Sequence, residues 1–149
     1  MSGVSAAVSE LTLPHTWRPL GVRMAGIAGG VMLLVLCGAT WFLFDSEVRE
    51  TFTLFQRGTA LLLGLFVASL VHALVRARAV ATSEGLLVVN GYRTRFYEWA
   101  EIVAIHLPRG APWATLDLAD GTTCAVMAIQ GSDGARAKQA VREIRSLLG

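Results

Sequence analysis

From Met24 to Phe44 the chain reads MAGIAGGVMLLVLCGATWFLF, 21 residues without a charge. An α-helix of that length spans about 31 Å, which matches the roughly 30 Å hydrocarbon core of a bilayer. Trp41 lies near one end, where an indole favours the headgroup level. The stretch is longer than the roughly 7–15 apolar residues of a cleaved signal peptide, and no A-x-A site follows it. Leu36 precedes Cys37, where lipoprotein-type processing wants a small residue. The run therefore reads as a retained membrane span.

A second apolar run follows from Gly58 to Val75, GTALLLGLFVASLVHALV, 18 residues long. It reaches about 27 Å as a helix, and Phe52, Leu54 and Phe55 can extend it. Its ionisable group, His72, sits within about a turn of the interface, with no acidic partner in either span. Such a histidine snorkels or hydrogen-bonds a neighbouring helix more readily than it relays protons. The spans are joined by DSEVRETFTLFQR. Arg18 and Arg23 flank the first span, and Arg76 and Arg78 follow the second, with Arg93 and Arg95 farther on. By the positive-inside rule this asymmetry, though small, places both termini in the cytoplasm of a multi-pass cell-membrane protein.

Small residues recur on both spans. Gly26 and Gly30 form GxxxG, and Ala60, Gly64, Ala68 and His72 repeat every four residues. Small side chains let helix backbones approach closely in lipid, where no hydrophobic force drives association. These faces either recognise a partner membrane protein or pack the two helices on each other; the second reading is the more economical.

Composition agrees with a membrane assignment. The 149 residues are 54% hydrophobic and 16% charged, against about 45–50% and 25% in soluble domains. Net charge is only +2, which argues against nucleic acid as a partner. The basic residues are arginines apart from Lys138. Cys37 and Cys124 lack metal-ligand spacing and read as small hydrophobes.

After Arg78 the pattern changes to short apolar runs separated by turn signals, the mark of strands. Ala79–Ala81 and Leu86–Val89 precede Asn90-Gly91, a tight-hairpin signal. Tyr92 to Glu98 alternates, with Tyr92, Thr94 and Phe96 on one face and Arg93, Arg95 and Tyr97 on the other. A strand containing Val103, Ile105 and Leu107 follows. Trp113–Leu118 and Thr122–Met127 then flank Asp120-Gly121. Ser132 or Asp133 is placed to cap a last helix, whose Ala137, Val141, Ile144 and Leu148 share one face. Six antiparallel strands and one amphipathic helix make an α+β domain.

Thr16-Trp17-Arg18-Pro19, Tyr97-Glu98-Trp99-Ala100-Glu101-Ile102, Pro112-Trp113-Ala114, Leu116-Asp117-Leu118-Ala119-Asp120-Gly121-Thr122 and Ala128-Ile129-Gln130 occur in that order. In these segments, and in the two helices, the chain resembles the small bacterial PH-like domain proteins of actinobacteria, of the low-molecular-weight protein antigen 6 type. The resemblance implies a bent, orthogonally packed sheet or split barrel closed by the C-terminal helix, and no activity. A PH domain has seven strands, one more than the six counted; the seventh is either a split of the Ala77–Thr82 segment or absent. The expected organisation is an interfacial or flexible arm over 1–22 with Trp17 and Arg18 at the headgroups, a helical hairpin over 23–76 (spans 24–44 and 58–75), and a PH-like domain over 77–149.

No GxGxxG, P-loop, GxSxG or HExxH is present. His15, His72 and His106 fall in different segments, and Glu98 and Glu101 flank a turn that they are placed to cap or bridge. The expectation is a non-enzyme without catalytic residues, cofactor, metal or small-molecule substrate. Arg93-Thr94-Arg95-Phe96 resembles the R-x-R-x-hydrophobic element of phosphoinositide-binding PH domains, although Thr82, Ser83 and Glu84 stand where a further basic residue belongs. Arg93, Arg95, Lys138, Arg142 and Arg145 are the candidate contacts for membrane lipids or an unidentified protein partner; otherwise they are solvated faces. Gly26, Gly30, Ala60, Gly64 and Ala68 are the candidate helix-packing residues.

Overall fold

The computed structural model describes residues 11–149. The part of the expected arm that falls in 1–10 lies outside the described residues. Helix α1 spans Leu20–Leu43, the short α2 Ser46–Thr51, and α3 Leu54–Arg76. Thr53 starts α3 through a reciprocal capping box with Gln56, which satisfies donors that a helix start leaves unpaired. α1 and α3 pack side by side as a hairpin. No residue of either helix is buried, and both are long and apolar enough to cross a membrane. Leu34, Leu43, Leu54 and Phe55 are each at least 74% exposed. An apolar surface of that extent needs a non-aqueous neighbour.

The strands are β1 His15–Trp17, β2 Arg78–Ala81, β3 Gly85–Asn90, β4 Arg93–Glu98, β5 Ile102–His106, β6 Trp113–Leu118 and β7 Thr123–Gln130. They form antiparallel sheets in the orders β1-β2-β3-β4 and β5-β6-β7. Helix α4, Ala135–Leu147, packs on β5 and β7. The core takes residues from both sheets and from α4, with Leu86, Ile105, Leu116, Val126 and Ile144 fully enclosed. The expected α+β, PH-like arrangement after two apolar helices is what the chain adopts.

The seventh strand comes from the segment that precedes the two apolar helices. Residues His15–Trp17, expected to lie in an arm at the headgroups, pair with Ala79–Ala81 and complete the first sheet. Trp17 is buried against the core rather than set among lipids, and its Nε1 donates to Glu143 Oε2 at 2.7 Å. The strand was illegible because three residues show no alternation and their partner lies some sixty positions on.

Asp133 also differs from expectation. α4 begins after Gly134, with no side-chain cap. The Asp133 carboxylate instead accepts from the backbone amides of Leu20 and Gly21, both at 3.2 Å. It therefore caps α1, where an anion meets unpaired amides and the positive end of the helix dipole. Ala140 joins Ala137, Val141 and Ile144 on the buried face of α4, while Leu148 is half-buried.

Candidate functional site

The β3–β4 turn sets the geometry of the basic residues. Gly91 has φ +62, and among the described residues no non-glycine residue has positive φ. Positive φ at the first of two loop residues is the mark of a type II′ hairpin, which favours glycine there. The turn residues are thus Gly91 and Tyr92, with Asn90 and Arg93 paired as the last strand residues. This turn touches α3. A Cβ on Gly91 would stand 3.4 Å from Ala73 Cβ. Tyr92 Oη donates to the Ser69 carbonyl at 2.9 Å and lies 3.2 Å from His72 Nδ1. The Arg76 guanidinium sits 5.6 Å from the Tyr92 ring centre, within cation–π range. His72 therefore bonds a tyrosine of the β domain, not a neighbouring helix.

Asn90 ties the same turn to the second sheet. Its Nδ2 donates to the Ala125 carbonyl at 2.6 Å, and its Oδ1 accepts from the Met127 amide at 3.0 Å. An asparagine side chain carries the same donor and acceptor as a peptide unit, so Asn90 continues β7's pairing where the sheets part. Between β4 and β7 lies a cleft of about 250 Å³ lined by Val88, Asn90, Arg93, Arg95, Thr123 and Cys124. Arg93 and Arg95 are exposed on the edge strand β4, of which only Tyr97 is buried. Neither arginine has a carboxylate within 4.0 Å among the described residues.

Tyr97 Oη lies deeper on the same face, buried and without a hydrogen-bond partner among the described residues. Burial raises its pKa above 10.0, nearby Cys124 adds to that, and Arg95 opposes it. The phenol in turn raises the pKa of the Arg95 guanidinium, which stays charged. The lining of the cleft itself combines the two arginine cations, the Asn90 amide and the Thr123 hydroxyl. It can hold an anion; it contains no nucleophile paired with a base. Among the described residues no group of three His, Cys, Asp or Glu could hold a metal.

The other candidates are dispersed. Lys138 and Arg142 are exposed on α4, and neither lines this cleft. Arg145 donates to the Ile105 carbonyl at 2.8 Å, which fixes α4 to β5. Built Cβ atoms on Gly26 and Gly30 would lie 3.7 and 3.8 Å from Val71, so these two glycines face α3. Gly64 has nothing within 4 Å, and Ala60 and Ala68 are exposed. Glu98 and Glu101 cap the turn Trp99–Glu101 reciprocally. Sequence reasoning missed Tyr92, Asn90 and Asp133. An amphipathic aromatic directly before two arginines was the available signal for Tyr92; side-chain bridges such as those of Asn90 and Asp133 leave none.

Residues 76–147 match the family model described as Bacterial PH domain. Uncharacterized proteins of Mycobacterium bovis and of two strains of Mycobacterium tuberculosis are each 36% identical over 142 residues, covering 91% of this chain and 85% of theirs. No solved structure matches the chain.

Proposed function

Because the chain belongs to the bacterial PH domain family, we propose that it is a membrane-anchored, non-catalytic adaptor whose β domain engages anionic lipid headgroups or a protein partner at the cytoplasmic membrane face. The observation that carries this reading is the contact of the β3–β4 turn with Ser69, His72 and Ala73 of α3. Arg93 follows that turn immediately, so the arginine pair stands at the end of the domain nearest the apolar helices. Basic residues at that level attract anionic headgroups by about 1 kcal/mol each. The β1–β2 pairing keeps the chain before α1 and after α3 on one side, which agrees with two crossings. The arginine distribution favours the cytoplasm for that side.

The test uses the full chain in nanodiscs of neutral phosphatidylcholine doped with phosphatidylglycerol, with retained lipid read by native mass spectrometry. The wild type should hold the anionic lipid, and the variant with Arg93→Ala and Arg95→Ala should bind it roughly 30-fold more weakly. Equal retention by both would remove the headgroup reading.

A second reading, an accessory subunit of a larger membrane complex, is favoured by the open face of α3 at Ala60, Gly64 and Ala68. Small-residue faces suit close helix association. Gly64→Leu with Ala68→Leu should release the chain from that complex on native gels. Unchanged migration would place the contact elsewhere.

A further inference from the structure

We propose that the outer edge of β4 receives an extended segment of a partner protein with carboxylates at alternate positions, added to the first sheet as a further strand. β4 ends that sheet, and among the described residues no strand pairs with its other side. The Glu98 amide donates to Glu101 Oε2 at 2.8 Å, so it points away from β3. Amide directions alternate along a strand. The N–H and C=O groups of Thr94 and Phe96 therefore point the same way, and these are the groups that strand addition uses. The second sheet offers less. Asn90 takes the Ala125 carbonyl and the Met127 amide of β7. Arg145 takes the Ile105 carbonyl of β5, and α4 packs on that strand. β4 is a six-residue edge with described chain leading into it and out of it.

The side chains along this edge select the occupant. Arg93 and Arg95 share one face of β4, beside the cleft of about 250 Å³ toward β7. No carboxylate lines that cleft, and neither arginine has one within 4.0 Å among the described residues. The strand's own carboxylate, Glu98, lies at its far end and alternates onto the opposite face. On an added strand, the residues opposite Arg93 and Arg95 are two apart and about 5 Å away. Carboxylates at every second position therefore meet both arginines. The positions between them meet the other face of β4, where Thr94 and Phe96 are exposed, and suit apolar side chains. A second copy of β4 does not supply this pattern, because the face that holds Arg93 and Arg95 continues to Tyr97 and has no carboxylate. The inference rests on the adaptor reading and names its protein partner by chemistry. Headgroups need the two arginines alone, whereas an added strand also needs the β4 backbone.

The probe is a random-peptide library on phage, panned against the full chain in neutral phosphatidylcholine nanodiscs after depletion on empty ones. Enriched peptides should carry Asp or Glu at alternate positions. Arg93→Ala with Arg95→Ala should weaken their binding about tenfold. Thr94→Pro removes an outward N–H that β3 does not use, a place where an edge strand tolerates proline. It should abolish peptide binding while phosphatidylglycerol is retained as by the wild type, which separates failure here from failure of the headgroup reading. N-methylation of the peptide amides that face β4 leaves the protein untouched and should abolish binding as well. Absence of enrichment, enriched peptides without alternate carboxylates, or binding indifferent to the N-methyl groups would each overturn the proposal. So would an effect of the arginine substitutions confined to retention of anionic lipid.

Discussion

Replacement of Trp17 tests whether the segment before the first helix belongs to the folded domain. Its side chain is 8% exposed and bonded to Glu143. Truncating a buried tryptophan to alanine costs about 3–5 kcal/mol. A hydrogen bond to a charged acceptor contributes about 1.5–3 kcal/mol. Glu143 is half-exposed and keeps Gln139, so the loss there falls at or below the lower end. Trp17→Phe, which keeps an aromatic ring and removes the donor, should therefore cost only about 1 kcal/mol. A core of this size supplies roughly 3–5 kcal/mol in all. Trp17→Ala should accordingly leave the domain near its unfolding midpoint in detergent without denaturant, while Trp17→Phe stays folded. Urea titration followed by Trp99 and Trp113 fluorescence, in a Trp41→Phe background, reads both. If Trp17→Ala unfolds at the same urea concentration as the parent, Trp17 lies among headgroups and the seven-strand sheet is wrong.

Asp133→Ala should cost about 1 kcal/mol, the usual value of a lost N-cap, and should speed hydrogen exchange at the Leu20 and Gly21 amides; unchanged exchange there would refute the cap. Gly85→Ala should destabilise by about 3 kcal/mol or more, because a Cβ there would overlap the Tyr97 carbonyl and stand 2.8 Å from the Phe96 ring; a parent-like melting temperature would count against that register. Tyr97→Phe should be neutral or stabilising by about 1 kcal/mol, since the hydroxyl is buried without a partner. Because the Tyr97 pKa is raised in the fold, its contribution is fully present below the ordinary value of 10.0 and is lost as pH rises through the folded value. Alkaline unfolding above pH 10.0 should therefore weaken in Tyr97→Phe, and an identical alkaline limb in both proteins would refute it.

What was legible in the sequence follows from physical periodicity. Uncharged runs long enough to span a bilayer mark α1 and α3. The spacing of Ala137, Val141 and Ile144 marks the inner face of α4, and Asn90-Gly91 marks the hairpin. The turn residues fall one position later than the dipeptide suggests, at Gly91-Tyr92, because Asn90 is held by β7. Contacts made across the apolar hairpin were not legible. β1 with β2 and Asp133 with α1 join segments brought together only by the helices folding back, and the bond of Tyr92 to α3 depends on how the β3–β4 turn is laid against that helix. The candidate site was half legible: Arg93 and Arg95 stood out as a motif, while their level relative to the helices depends on Tyr92. Arg145 stood out by its helix face alone, and its bond to the Ile105 carbonyl was not legible.

One cross-link addresses the closure of the sheet around the apolar hairpin most directly. Thr16 and Val80 are partners across β1 and β2, at a separation that a disulfide can span. With Cys37 and Cys124 replaced by alanine, Thr16→Cys and Val80→Cys should oxidise to a faster-migrating monomer in intact membranes, while a Glu50→Cys partner for Thr16→Cys should not. Failure of the first pair to cross-link, with positions 16 and 80 labelled from opposite faces by an impermeant thiol reagent, would contradict the account.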